Sequence, residues 1–303
     1  MSIKANKVTK IYGTQKALDD VTFEIQSQSI TGFLGPNGAG KTTMMKILTG
    51  FIPPSSGEAF VNDVNVMEDT IRVRKDIGYL PETNPLYPDM FVEEYLEFVA
   101  GIYKLGKGSK ARIKEMIEQT GLTPEKHKKV GELSKGYRQR VGLAQTLMHD
   151  PKVLILDEPT SGLDPNQIVE IRSLIKELGR QKTVMLSTHI MQEVEAICDR
   201  VIIINDGRIV ADDAAGKIRA SSKEQKQTII VEFNTPVQEE DLARINKVKK
   251  AVPVKDNTWL LESSVQEDIR PAVFQFAVDN GLTVLSLQQK EKRLEEIFQE
   301  LTK

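Results

Sequence analysis

The chain has 303 residues, 40% hydrophobic and 28% charged, with a formal net charge of −2. That length suits two globular domains, and the charge offers no electrostatic footing for nucleic acid or an anionic membrane surface. A single cysteine, Cys198, excludes an internal disulfide framework and a Cys-rich zinc site; no run approaches the roughly 18 apolar residues of a membrane span, and the opening Met1–Lys7 carries no signal-peptide core.

Residues 3–26 read as short β segments broken by a turn at Gly13-Thr14, with Val21, Phe23 and Ile25 alternating as in a half-buried strand. Tyr12, just before the turn, is either a platform for an adenine ring or a core or turn tyrosine. The apolar run Ile30–Leu34 then leads into Gly35-Pro36-Asn37-Gly38-Ala39-Gly40-Lys41-Thr42-Thr43, and Met44, Ile47 and Leu48 come next at helical spacing. This fills every fixed position of G-x-x-x-x-G-K-[ST] in the strand–loop–helix context that the phosphate-binding loop needs. Glycines at 35, 38 and 40 let successive N–H groups converge on a polyphosphate. The helix that starts near Lys41 adds its positive end. Lys41 is expected on the β/γ-phosphates and the Thr42 hydroxyl on Mg²⁺. The stretch implies a bound nucleoside triphosphate.

Pro53-Pro54-Ser55-Ser56-Gly57 is a loop, Glu58–Val61 a strand, and Ile77–Leu80 a strand that stops at Pro81-Glu82. Residues 85–150 read as mostly helical, with helix-period apolar positions over Phe91–Tyr103 and Ala111–Thr120 and a further helix after Leu133-Ser134-Lys135-Gly136. Val153–Leu156, followed by Asp157-Glu158, is the pattern of a buried parallel strand with acids at its C-terminal end. Asp164-Pro165 opens the next helix as N-cap and first-turn proline, with Ile168, Ile171, Leu174, Ile175 and Leu178 on its buried face. Thr183–Ser187 is a strand ending at Thr188-His189, and Asp206-Gly207 joins a hairpin. His127 and His149 are expected at the surface, and Cys198, within an apolar helix pattern, in the plain core.

Residues 218–228 are polar, lack periodicity and read as a linker. Beyond them, Ile229–Phe233, Val248–Val254, Trp259–Glu262 and Leu282–Leu287 read as strands, with helices at about 238–246 and 268–280. The order β-α-β-β-α-β is that of a ferredoxin-like unit. A final amphipathic helix carries Leu294, Ile297, Phe298 and Leu301 on one face.

The phosphate loop alone does not choose among NTPase families; residues downstream of it make the choice. Leu133-Ser134-Lys135-Gly136-Tyr137-Arg138-Gln139-Arg140, the Asp157-Glu158 pair, Ser161-Gly162-Leu163-Asp164 and His189 occur in the order and spacing of the ATP-binding-cassette (ABC) ATPases, which the chain resembles over residues 1–217. The resemblance implies an α/β P-loop NTPase fold with a parallel sheet core, an antiparallel β subdomain and a helical subdomain at about 85–150. A small α+β C-terminal domain at 229–303 would complete the chain. It implies ATP and Mg²⁺ as ligands, Tyr12 on adenine, and the loop from Gly35 through Pro36, Asn37, Gly38, Ala39, Gly40, Lys41, Thr42 and Thr43 on the phosphates. Thr42, Glu82 and Asp157 are the implied Mg²⁺ ligands, Glu158 the general base, and His189 a contact to the γ-phosphate and the base. Ser134 and Gly136 would reach the nucleotide of a second protomer, and Asp164 would lie between the two sites.

Two departures stand out. The family usually has Gln where Glu82 stands, and the signature, usually LSGGQ, reads Leu133-Ser134-Lys135-Gly136-Tyr137, which adds a cation near the expected γ-phosphate. The segments at 81–87 and 134–144 are most similar to cassettes serving ABC-2-type permeases, among them the gliding-motility-associated ATPase. The implied partners are a second copy of the chain and an integral-membrane permease, with the chain peripheral on the cytoplasmic face of the inner membrane. The alternatives are a non-transport ABC ATPase acting on ribosomes or DNA, and a weakly hydrolysing regulatory ATPase.

Overall fold

A computed structural model describes residues 2–214, 228–263, 268–290 and Phe298. The chain divides into two compact units, the first holding the described residues up to 214 and the second those from 228. The first unit opens with β1 (Ile3–Tyr12) and β2 (Gln15–Ile25), which pair antiparallel around the turn at Gly13. With β4 (Ser56–Val61) and the short β5 (Val64–Asn65) they form a sheet in the order β2-β1-β4-β5. A second sheet holds β3 (Ile30–Leu34), β6 (Ile77–Leu80), β7 (Val153–Asp157), β8 (Thr183–Thr188), β9 (Arg200–Asn205) and β10 (Arg208–Ala214) in the order β10-β9-β3-β8-β7-β6. It is parallel from β9 to β6, with β10 antiparallel at one edge.

The apolar runs in this second sheet are continuous because both faces are covered. On β7, Leu154 and Leu156 enter one core while Val153 and Ile155 enter the other, and β8 divides Val184 and Leu186 from Met185 in the same way. One core packs α1 (Lys41–Leu48) and the antiparallel sheet through Met44, Ile47, Val8 and Phe23. The other packs α3 (Val92–Ile102), α4 (Ser109–Gln119), α5 (Lys135–Leu147) and α6 (Pro165–Gly179). The polar helix α2 (Thr70–Asp76), with only Val73 buried, lies between β5 and β6 in the chain.

Ile171, Leu174, Ile175 and Leu178 form the buried face of α6, as expected, whereas Ile168 is half-buried. Cys198 directly follows α7 (Met191–Ile197) rather than lying within a helix, and burial pushes its thiol pKa upward. His127 is exposed, but the expectation fails for His149. Its ring stacks on Tyr103 at 4.1 Å and its Nε2 bonds the Ile77 carbonyl at 3.0 Å.

The second unit is α+β. Strands β11 (Thr228–Phe233), β12 (Val248–Lys255), β13 (Thr258–Ser263) and β14 (Val284–Lys290) form an antiparallel sheet in the order β12-β13-β11-β14. Helices α8 (Glu239–Ala243) and α9 (Arg270–Asp279) separate them in the chain. Ile229, Val231, Phe233, Trp259 and Leu261 pack with Leu242, Val273 and Ala277. Thr228 belongs to β11; the rest of the expected linker, and the expected final helix apart from Phe298, lie outside the described residues. Among the described residues no helix is long and apolar enough to cross a membrane.

Candidate functional site

Three adjacent parallel strands end at one edge. Leu34 pairs with Thr188 and Asp157 with Ser187, so the phosphate loop, the acids and His189 all emerge side by side. The C-terminal edge of an open parallel sheet is where such folds bind ligands. A cleft of about 480 Å³ lies there, lined by Ala17, Asn37, Gly38, Gly40, Lys41, Thr42, Thr43, Glu82, Glu158, Ser161 and His189.

The loop is built around positions that admit no side chain. Gly40, with φ +107°, caps α1; a Cβ there would meet the Ala17 carbonyl at 2.5 Å. At Gly35 a Cβ would meet the Ile204 carbonyl at 2.4 Å. The Lys41 ammonium donates to the carbonyls of Gly35 at 2.8 Å and Pro36 at 3.2 Å.

Asp157 is buried at the end of β7, and its Oδ1 accepts the Ser187 hydroxyl at 2.5 Å. The same hydroxyl accepts the Glu158 N–H at 3.0 Å. Glu158 has φ 49°, an unfavourable angle for a long side chain, held by that bond and by Ser161 N–H on its carbonyl at 3.1 Å. Its carboxylate faces His189 Nδ1 at 3.0 and 3.1 Å. A carboxylate only accepts, so Nδ1 carries the hydrogen and the ring's other nitrogen is left free for a ligand. Beside Asp157, burial and that carboxylate's charge push the Tyr79 phenol up to about 12, so it stays neutral.

Tyr12, expected on an adenine ring, and the residues expected to serve a second protomer lie outside this cleft. Tyr12 is half-exposed at the hairpin end, under the Lys10 ammonium at 5.2 Å, and does not line the cleft. Ser134 caps α5 by accepting Tyr137 N–H at 3.3 Å. A Cβ on Gly136 would strike Gln167 at 2.4 Å, so α5 begins against the first turn of α6. Asp164 caps that helix through Gln167 N–H at 3.0 Å. The Lys135 side chain lies across Gly162. None of these four motif residues, Ser134, Lys135, Gly136 and Asp164, lines the cleft of its own chain.

Sequence reasoning missed Ser187 and Gln139. The Gln139 carboxamide accepts from Asn84 Nδ2 at 2.9 Å and donates to the Pro159 carbonyl at 3.0 Å, joining the 81–87 segment to the residue after Glu158. Ser187 ends the apolar run of β8, and its place just before Thr188-His189 was the available signal. Gln139 gave none beyond its place in the signature helix.

The cleft therefore combines a phosphate cradle, a lysine, a threonine hydroxyl and a carboxylate–imidazole pair. The comparisons agree with it. The family model "ABC transporter" matches residues 18–161. The bacitracin transport ATP-binding protein BcrA of Bacillus licheniformis is 33% identical over 99% of this chain and 96% of that protein. The linearmycin resistance ATP-binding protein LnrL of Bacillus subtilis is 31% identical over 99% and 98%. A solved dimeric cassette, MJ0796, in a post-hydrolysis state with ADP and Pi, matches with a TM-score of 0.65 and 27% identity, covering 70% of this chain and 98% of that one. The chain belongs to the ABC transporter family, as an ATP-binding subunit with ATPase activity.

Proposed function

We propose that the chain powers a separate ABC-2-type permease by hydrolysing ATP in an ATP-sandwiched head-to-tail dimer, in gliding motility or export. The observation that carries this reading is a division within the motif set. The cleft is lined by the phosphate loop, Glu82, Glu158, Ser161 and His189, while Ser134 and Gly136 of the same chain stay away from it. A helix start with an exposed serine hydroxyl suits the phosphate of a second copy. The similarity to transport and resistance ATP-binding proteins extends over nearly the whole chain, and a structural neighbour is dimeric. The assignment carries residues 1–217 as the nucleotide-binding domain, 218–228 as a linker and 229–303 as an accessory domain, with the chain on the cytoplasmic face of the inner membrane.

In the cleft, Lys41 and the loop amides hold the phosphates. The Glu158 carboxylate takes the proton of the attacking water, and His189 orients that carboxylate from its Nδ1 side while facing the γ-phosphate. Thr42 and Glu82 line the cleft and Asp157 stands at the end of β7, a hydroxyl and two carboxylates that suit Mg²⁺, which favours one or two carboxylates with phosphate and water. When bound, the ion neutralises charge developing on the phosphates.

Tagged Glu158→Gln protein, purified from ATP-treated native membranes, tests the reading. Recovery of a multi-span permease is the expected result. Recovery of ribosomes or DNA with no integral membrane protein would overturn it.

A further inference from the structure

Glu193, on α7, is 1% exposed and is not among the residues lining the cleft. Its Oε2 accepts the Thr188 hydroxyl at 2.6 Å, and its Oε1 accepts the Thr160 hydroxyl. The Arg172 guanidinium of α6 stands 3.8 Å from Oε1 and supplies the counter-charge. Thr160 and Thr188 are themselves buried, and Thr188 Oγ1 also accepts the Ile190 N–H at 3.0 Å. A buried charge of this kind is costly to keep where an apolar side chain would fill the space, so its geometry calls for an explanation.

The explanation lies in what the two threonines adjoin. Thr160 comes two residues after Glu158, and Thr188 immediately precedes His189. We infer that Glu193 is a positioning residue for ATP hydrolysis: one carboxylate ties the segment after Glu158 to the segment before His189, and so holds the Glu158–His189 pair at its observed separation. The inference rests on the reading of Glu158 and His189 as the hydrolytic pair. A carboxylate offers acceptors at both ends, so it satisfies two hydroxyl donors at once. A carboxamide offers only one accepting end, so at its other end a threonine must turn its hydroxyl to accept from the amide, and both charge-assisted bonds give way to weaker neutral ones.

The test measures kcat, KM and ATP affinity for Glu193→Gln, Thr160→Ser and Thr160→Val, alone and in a His189→Ala background, with thermal melting for each. Glu193→Gln is expected to lower kcat about 10- to 100-fold, the scale of a displaced catalytic group, with ATP affinity kept. Thr160→Ser keeps the hydroxyl and is expected to keep turnover, whereas Thr160→Val reproduces the loss. In the His189→Ala background Glu193→Gln is expected to add little further loss, because both changes act on one pair. Wild-type kcat in Glu193→Gln, or equal losses with and without His189, would overturn the inference. If Glu193→Gln does not fold, the Thr160 pair decides: equal turnover in the Ser and Val variants overturns it. Full turnover in Glu158→Gln and His189→Ala would instead remove the underlying reading of the site.

Discussion

The Lys41 ammonium lies 3.6 Å from Glu158 Oε1, so the cation proposed to hold the phosphates and the carboxylate proposed as base form an ion pair with both side chains less than a tenth exposed. At that burial the pair is little screened by salt. On the proposed reading, ATP binding exchanges the carbonyl partners of Lys41 for phosphate oxygens while leaving the carboxylate close by. Lys41→Ala is expected to weaken ATP binding about 10- to 100-fold, the loss of a hydrogen bond to a charged group. Titration calorimetry measures it, and wild-type affinity would mean that Lys41 does not reach the phosphates.

Glu158→Gln keeps an oxygen that accepts from His189 Nδ1 but removes the proton acceptor. Turnover is expected to fall by about 10²- to 10⁴-fold, the usual contribution of a general base, with ATP still bound. Steady-state phosphate release checks it; an unchanged rate would remove Glu158 from the base role.

Gly40 and Gly38 separate backbone angle from crowding. Both have positive φ, +107° and +84°, yet a Cβ on Gly40 meets the Ala17 carbonyl while one on Gly38 meets nothing within 4 Å. Gly38→Ala is expected to cost about 1–2 kcal/mol from backbone angle alone, which lowers the melting temperature by about 2–4 °C per kcal/mol in a unit of this size. Gly40→Ala is expected to lose more, and ATP binding with it. Equal shifts would show that contact with the β1–β2 hairpin plays no part in shaping the loop.

His149 gives stability a pH dependence whose sign is set by burial. Desolvation lowers its pKa below the ordinary 6.5, and its Nδ1 has no hydrogen-bond partner. The folded chain therefore keeps the ring neutral where the unfolded chain protonates it. This contribution is fully present above pH 6.5 and is lost as the pH falls below that value. Melting temperatures measured downward from pH 7 are expected to fall more steeply for the wild type than for His149→Gln. Identical slopes would place the titration elsewhere.

The phosphate loop, the order of the main elements and the capper Asp164 were legible because each depends on neighbours in the chain. The contact between Glu158 and His189 came only from the family resemblance and not from the residues themselves, because it spans 31 residues and depends on the pairing of β7 with β8. Ser187 looked like an ordinary strand residue until register set it opposite Asp157. His149 seemed a surface residue because its partners, Tyr103 and Ile77, are distant in sequence. Helix α2 escaped notice because seven largely polar residues with one buried valine carry no apolar stripe.

The division of β7 and β8 between two cores has a consequence for chemistry. Successive side chains on each strand belong to opposite apolar interiors, so sliding either strand by one residue would turn leucine out of one core and crowd the other with its neighbours. The strands cannot trade alignments without unpacking the whole unit. Asp157, Ser187 and Thr188 are thus set in place when the protein folds, long before a nucleotide arrives. Reorganisation that water would need at each turnover is completed once, during folding, and the groups carried on this edge are already oriented.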